Sequence, residues 1–429
     1  MNYLFLYIAV GVIVLVLYIR RHNRKQAVST AELQTSVQSG LAEPPSLHPI
    51  VDNVRCIGSG TCAKVCPEEA LGVINGKAVL INAAACIGHG ACLLACPFEA
   101  IQLVFGTENR GIDIPAVSPD FETNMPGIYI AGELGGMGLI RKAAEQGRQA
   151  IASIRKKKGG KGEFDVFIVG CGPAGLSAGL SSMHNKLKYK LIEQEDSLGG
   201  AVYHYPRQKI AMTAPVELDI IGKVKFGEVQ KEKLLEFWQD VVKKTSLAIS
   251  FRERMEEVTP VDGGFKVKTN RGSYTARTVL LTMGRRGTPR KLDVPGEESA
   301  KVVYRLIDPA QYAGQAVLVV GGGDSALEAA IAVSQEKNSK VILSYRSAAF
   351  SRVKQKNREL LEQQEKAGHI KVMLNSTVKE IHDREVEISS NGATSRYPND
   401  AVIVCAGGLL PTPMLQKMGI EFATKFGTV

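Results

Sequence analysis

Aromatic residues are scarce in this chain of 429 residues, at 6% with a single tryptophan, and no motif alternates them with its basic residues. The formal charge of +10 therefore lacks the stacking-plus-phosphate pattern of a nucleic-acid binder, and no nucleic-acid partner is expected. Much of the excess sits in two local runs, Arg20, Arg21, Arg24 and Lys25, then Arg155, Lys156, Lys157, Lys158 and Lys161. Charge is missing altogether from Tyr3 to Ile19, and no charged side chain precedes that apolar run. A cleaved signal peptide places positive charge ahead of its apolar stretch, so the order here excludes one. As a helix the run spans about 25 Å, close to the hydrocarbon thickness of a bilayer. Tyr3, Tyr7 and Tyr18 suit the two interfaces. The basic flank RRHNRK favours the cytoplasmic side. We therefore expect a single-pass transmembrane anchor over 1–25, in the inner (cytoplasmic) membrane, with the catalytic bulk facing the cytoplasm. Residues 26–49 read as a polar tether ending at Pro44 and Pro45.

A chain of this length exceeds one hydrophobic core, and several domains are expected. Its eight cysteines do not form the framework of a small disulfide-rich domain. Six of them fall in two copies of one pattern, CIGSGTCAKVCP from Cys56 and CIGHGACLLACP from Cys86. Each copy reads C-x5-C-x3-C-P. Soft thiolates on Gly-containing loops suit iron, with backbone N–H groups free to face sulfide. The segment 50–106 resembles a bacterial two-cluster ferredoxin, whose motif is C-x2-C-x2-C-x3-C-P. The second cysteine is replaced, by Ser59 in the first copy and His89 in the second. The resemblance implies that Cys56, Cys62 and Cys96 hold one cluster and Cys86, Cys92 and Cys66 the other, since the last cysteine of each motif crosses over. Ferredoxins lacking the second cysteine often hold 3Fe-4S clusters, so two 3Fe-4S clusters are favoured. A 4Fe-4S cluster with His89 or Ser59 on the fourth iron is the alternative, and zinc fits the spacing poorly.

From Glu163 the chain reads EFDVFIVGCGPAGLSAGL: an apolar strand, the loop Gly170, Gly172, Pro173, Ala174, Gly175, then a small-residue helix. The next strand ends in Glu193. This is the dinucleotide fingerprint. The glycines admit the pyrophosphate to the helix N-terminus, and the acid accepts from the ribose. A second copy, AVLVVGGGDSALEAA, places Gly321, Gly323, Asp324, Ser325 and Ala326 in the same roles. Its following strand ends in Arg346 rather than an acid, with Arg352 and Lys354 beyond. A basic end suits a 2′-phosphate, so NADP(H) is expected there, with NAD(H) as the alternative.

Two fingerprints in one chain resemble the thioredoxin-reductase-like flavoproteins, a group that includes ferredoxin–NADP reductases. GGAVYHYP, with Gly200, resembles the loop entering the flavin pocket, and TMGRRGTPRKLDVPGE, with Gly284, the exit from the first domain. VIVCAGGLLPTP, from Val402, resembles the strand returning to it. The family closes its FAD domain with a late T-x-x-P-G-I-Y-x-x-G-D segment. Here that segment lies upstream, as ETNMPGIYIAGE with Gly132 and Glu133, so the order is circularly permuted. The expected architecture is α/β. It has two Rossmann-type FAD/NAD(P)-binding domains, a small α+β two-cluster ferredoxin domain and one N-terminal transmembrane helix. Its segments are an anchor at 1–25, a linker at 26–49, the Fe–S domain at 50–106 and the permuted closing segment at 107–158. The FAD domain follows at 163–298, the NAD(P)H domain at 299–404 and the return at 405–429.

Thioredoxin reductases carry C-x-x-C before the second fingerprint, and no cysteine stands there; Cys171 and Cys405 read as small core residues. The resemblance implies hydride transfer from NADPH to FAD, then single electrons through the two Fe–S clusters to an electron-transfer partner, with a homodimer as the family's common assembly. MTAPVELDIIGKV also resembles bacillithiol-disulfide-reductase-like proteins. A low-molecular-weight disulfide reductase, or a membrane-tethered redox sensor with little turnover, are the other readings.

Overall fold

A computed structural model of the chain describes every residue except Met1, 39–42, 45–46, 87, 89, 109–110, 137, 158, 208, 214, 286, 351–352 and 428–429; for 2–6, 212 and 288 only the backbone is described. His89 and Arg352, two of the residues singled out above, therefore lie outside the described residues. The chain divides into two compact units. One comprises Met1–Ile112, Ala349–Leu360 and Lys425–Val429, the other Asp113–Ala348 and Leu361–Thr424.

The first unit opens with a helix, Asn2–Gln38. Its apolar part, from Tyr7 to Ile19, is exposed. Among the described residues no helix is long and apolar enough to cross a membrane; the side chains of Tyr3, Leu4, Phe5 and Leu6 are not among them. The expected tether is corrected. Helix continues through the basic flank to Gln38 because QAVSTAELQTSVQ contains neither Gly nor Pro and several strong helix formers. Gln26 Nε2 donates to Asn75 Oδ1 at 3.0 Å, fastening this helix to the domain that follows.

That domain is small and duplicated. Strand His48–Val51 pairs antiparallel with Ile101–Val104, and Leu71–Ile74 with Lys77–Leu80. The second pair turns on Asn75 and Gly76, both at positive φ (50° and 71°), as a tight two-residue hairpin requires. Short helices, Thr61–Val65 and Ala91–Leu94, follow the two cysteine loops.

In the second unit the run FDVFIV forms strand Phe164–Val169, flanked in parallel by Tyr189–Ile192 and by the end of Gly272–Leu281. An apolar run of this kind suits a strand covered on both faces. Ile128–Ile130 adds in parallel to Gly272–Leu281. Helix Ile140–Lys156 buries Ala143, Ala144, Gly147, Ala150, Ile151 and Ile154 on one face at helical spacing. It crosses helix Pro173–His184 closely enough that a Cβ on Gly147 would stand 2.1 Å from the Ala174 oxygen. A strand and helix upstream of the first glycine loop thus complete its layer.

The second dinucleotide fold is a five-stranded parallel sheet in the order Val302–Val303, Ala401–Val404, Ala316–Val320, Lys340–Ser344, Ile370–Met373. Within residues 299–404, expected for this fold, AVIV is buried at all four positions of its strand, although the segment from Val402 resembles the returning strand. The return follows it: Gly408–Leu409 pairs with Thr288–Pro289, and Leu415, Met418 and Ile420 join the core around Ile128 and Phe167.

Candidate dinucleotide loops and thiol clusters

The first loop is enclosed by backbone. Gly170 has φ 100°, and a Cβ on Gly175 would meet the Gly170 oxygen at 1.8 Å, so the third glycine lets the helix lie against the strand end. Glu193, only 5% exposed at the end of its strand, accepts from the Cys171 N–H at 2.6 Å and the Glu195 N–H at 3.1 Å. Burial pushes its carboxyl above the ordinary range, against the pull of those N–H donors. Gly200 overlies the loop, a Cβ there standing 3.0 Å from the Gly172 Cα. Pro173 opens the helix at its first position and Ala174 is buried behind it. Gly132 donates its N–H to Gln146 Oε1 at 2.8 Å and leads into the turn Glu133–Gly135. Glu133 Oε2 faces Gly284, 3.7 Å from where a Cβ would be. The structure thus brings Gly132, Glu133, Gly170, Gly172, Glu193, Gly200 and Gly284 into one cradle, which suits a dinucleotide with a carboxylate for each of two sugar chains. Sequence reasoning missed Thr282, whose buried hydroxyl bonds the Val169 and Gly170 oxygens at 2.9 and 2.8 Å, locking the loop to the neighbouring strand. It missed Gly147 and Gln146 as well. Their signal was a small and a polar residue interrupting an apolar helical face.

The second loop is open. Gly321 sits against the Cys405 oxygen, 2.4 Å from a Cβ position, and Ala326 is fully buried in the third-glycine role. Gly323 precedes helix Asp324–Ser334, and a Cβ there would meet nothing within 4 Å. Gly322 lies directly beneath the Tyr345 ring. Ser325 and Arg346 are exposed. Lys209–Glu328, at 2.6 Å, and Arg207–Asp308, at 3.0 Å, tie the segment after the first loop to this fold.

The thiols of the small domain lie close enough to act on one another. Cys62 is pushed up by burial, then by its neighbours Cys56 and Cys96. Cys92 is pushed up to about 11 by burial, with Cys86, Cys66 and then Cys62 adding to it. Cys86 is raised by burial and by the charges of Cys66 and Glu68. Cys66, Cys86 and Cys92 line one small cavity, while Cys56, Cys62, Cys92 and Cys96 share one packed cluster, so Cys92 belongs to both groups. Buried, mutually repelling thiols keep their protons when alone, and ligation must expel them. Ala78 N–H donates to Cys56 Sγ and Ala100 N–H to Cys96 Sγ, both at 3.4 Å, the kind of donor that stabilises thiolate on iron. No three described His, Cys, Asp or Glu side chains are placed around a single metal ion. Ser59 is exposed, with its hydroxyl 3.3 Å from Thr61 Oγ1.

Known proteins resemble the chain in the same two parts. The model of the pyridine nucleotide-disulphide oxidoreductases matches residues 167–427, and that of the 4Fe-4S dicluster domain matches residues 48–97. A ferredoxin–NADP reductase of Streptococcus sanguinis is 30% identical over 200 residues, 46% of this chain and 58% of that protein. One of Ignicoccus hospitalis is 28% identical over 253 residues, 57% of this chain and 76% of that protein. The solved bacillithiol disulfide reductase of Bacillus cereus is 25% identical with a TM-score of 0.53, covering 60% of this chain and 82% of that one. The match thus spans little more than half the length of the streptococcal relative.

Proposed function

The chain belongs to the pyridine nucleotide-disulphide oxidoreductase family, and from that premise we propose that it is an NADPH-dependent flavoprotein moving electrons between nicotinamide, FAD and two iron–sulfur clusters. Bound to this chain, FAD would supply hydride acceptance and one-electron release, and the clusters a one-electron relay. The first loop and its helix N-terminus hold the FAD pyrophosphate, Glu193 its adenosine ribose, and Glu133 the ribitol side. The open second loop takes the exchangeable nicotinamide cofactor, with Arg346 toward a 2′-phosphate. Cys56, Cys62 and Cys96 hold one cluster, and Cys66, Cys86 and Cys92 the other. Three thiolates support 3Fe-4S wherever no further ligand reaches the iron.

The observation that carries this reading is the gathering of six cysteines in one small domain on a chain that also carries two dinucleotide loops. Anaerobic EPR before and after NADPH tests it. An iron–sulfur signal that changes together with flavin bleaching is expected; a signal that persists while the flavin bleaches removes the clusters from the route. If activity with artificial acceptors stays slow and near-stoichiometric, a redox sensor replaces the enzyme.

The exposed apolar stretch Tyr7–Ile19 and its basic flank support attachment to the inner membrane, with the electron-transfer partner there. Release of the chain into the soluble fraction without detergent would sink that attachment. Likeness to the B. cereus structure favours a second reading, reduction of a small disulfide. That activity would persist in Cys56→Ser and Cys86→Ser variants.

A further inference from the structure

We propose that Glu68 is the fourth protein ligand of the cluster held by Cys66, Cys86 and Cys92, so that one cluster is 4Fe-4S and the other 3Fe-4S. The inference rests on the two-cluster reading above. Glu68 follows Cys66 and Pro67, and its Oε1 is buried without any hydrogen-bond partner. A buried carboxylate oxygen is costly unless it is paired or binds a metal. Glu68 is among the residues lining a small cavity, about 20 Å³, together with Cys66, Cys86, Cys92, Gly88 and Gly90. Among the described residues, the rest of that lining apart from the three thiols is apolar or proline. Gly88 and Gly90 bracket the position where the ferredoxin pattern has its missing cysteine. Glu68 therefore lines the same cavity as the two glycines on either side of that position.

The other half of the repeat supplies an internal control. Both halves make the same turn after Cys-Pro: Glu69 N–H bonds the Cys66 oxygen at 3.2 Å, Glu99 N–H bonds the Cys96 oxygen at 3.4 Å, and both glutamates have φ near 50°. The residue that this turn presents is Glu68 in the first half and Phe98 in the second, the latter 43% exposed and unable to bind iron. The backbone is shared and one side chain differs. The cluster of Cys56, Cys62 and Cys96 has only Ser59 at the replaced position, exposed and beside Thr61.

The test is iron analysis with EPR on the full chain, purified anaerobically and then oxidised, as wild type, Glu68→Gln, Glu68→Cys and His89→Ala. The wild type is expected to show about one three-iron spin per chain. Glu68→Gln, nearly isosteric, should raise this to about two spins with loss of about one iron. Glu68→Cys should keep the wild-type iron content and alter the spectrum of the reduced cluster, and His89→Ala should change nothing. Retention of the three-iron signal of the Cys56, Cys62 and Cys96 cluster in each variant shows that the iron–sulfur domain, a unit separate from the flavin fold, is intact. Two three-iron spins in the wild type, an unchanged spin count in Glu68→Gln, or loss of the iron in His89→Ala instead would each overturn the assignment. Absence of iron from the wild type would remove the two-cluster reading itself, a result distinct from any of these.

Discussion

The two glycine-rich loops share one plan, strand, loop and helix, and differ in what surrounds them. The first is closed in. Glu193 turns back to bond the Cys171 N–H, Thr282 pins the Gly170 oxygen, and the Gly200 backbone lies over Gly172. The second ends in an exposed Arg346, and the space beside Gly323 is empty of protein atoms within 4 Å. An enclosed cradle fits a resident cofactor and an open one an exchangeable cofactor. On the proposed reading, the basic strand end, against the buried acid of the first loop, would separate a phosphorylated ribose from a free one.

The sharpest break of this contrast is a pair of alanines. Gly175→Ala drives a methyl group into the Gly170 oxygen and should cost about 3–5 kcal/mol, with purification free of flavin. Gly323→Ala meets no protein atom and should leave Tm unchanged, yet raise KM for NADPH, because the second glycine admits the pyrophosphate. A well-folded, flavin-loaded Gly175→Ala would end the distinction. Next in size, Glu193→Gln should weaken FAD retention by roughly 10–100-fold through loss of a charged hydrogen-bond acceptor, measured by ultrafiltration of flavin. Its effect on the flavin-free protein has the opposite sense. The folded-state carboxyl is raised, so its contribution to stability is present below the ordinary carboxylate range and lost as pH rises through the folded value. Glu193→Gln should abolish that alkaline-side loss in denaturant titrations of the apoprotein.

Arg346→Ala should raise KM for NADPH about tenfold and leave that for NADH unchanged, the worth of one charge-assisted contact. Equal effects on both cofactors would move the 2′-phosphate site elsewhere. The smallest expected effect lies in the segment joining the two folds. Burial works to raise the Glu297 carboxyl, but the Leu292 and Asp293 N–H groups and the Tyr304 hydroxyl outweigh it and hold the group below its usual range. Its contribution is therefore present above the ordinary carboxylate pKa and lost as pH falls through the lowered value. Glu297→Gln should cost about 1–2 kcal/mol at neutral pH and flatten the acid limb of stability, where Glu193→Gln acts on the opposite limb.

What the chain spelled out locally was readable in advance. Gly170, Gly172, Gly175 and Glu193, Gly321, Gly323 and Arg346, and the six cysteines are fixed by spacing, because a tight turn or a set of convergent thiolates needs those residue types at those intervals. The displaced closing segment was legible too, since Gly132 and Glu133 travel with their own strand and helix. Other features depend on partners distant in the chain. The helix from Asn2 ran on to Gln38, where polar composition had suggested an open tether. Ala401–Val404 closes into the second sheet because four apolar residues in a row are satisfied at an interior place of a parallel sheet, although the segment from Val402 also resembles a strand of the first fold. Thr282 reaches the strand ending in Val169 with no trace of the contact at its own position, while Gly147 shows only as a small residue on an apolar helical face and its partner Ala174 is set by the fold. Glu68 makes the point most directly. As a letter it is one more surface glutamate beside Glu69, and only the fold buries one of its oxygens without a partner and sets the residue at a cavity lined by three thiols.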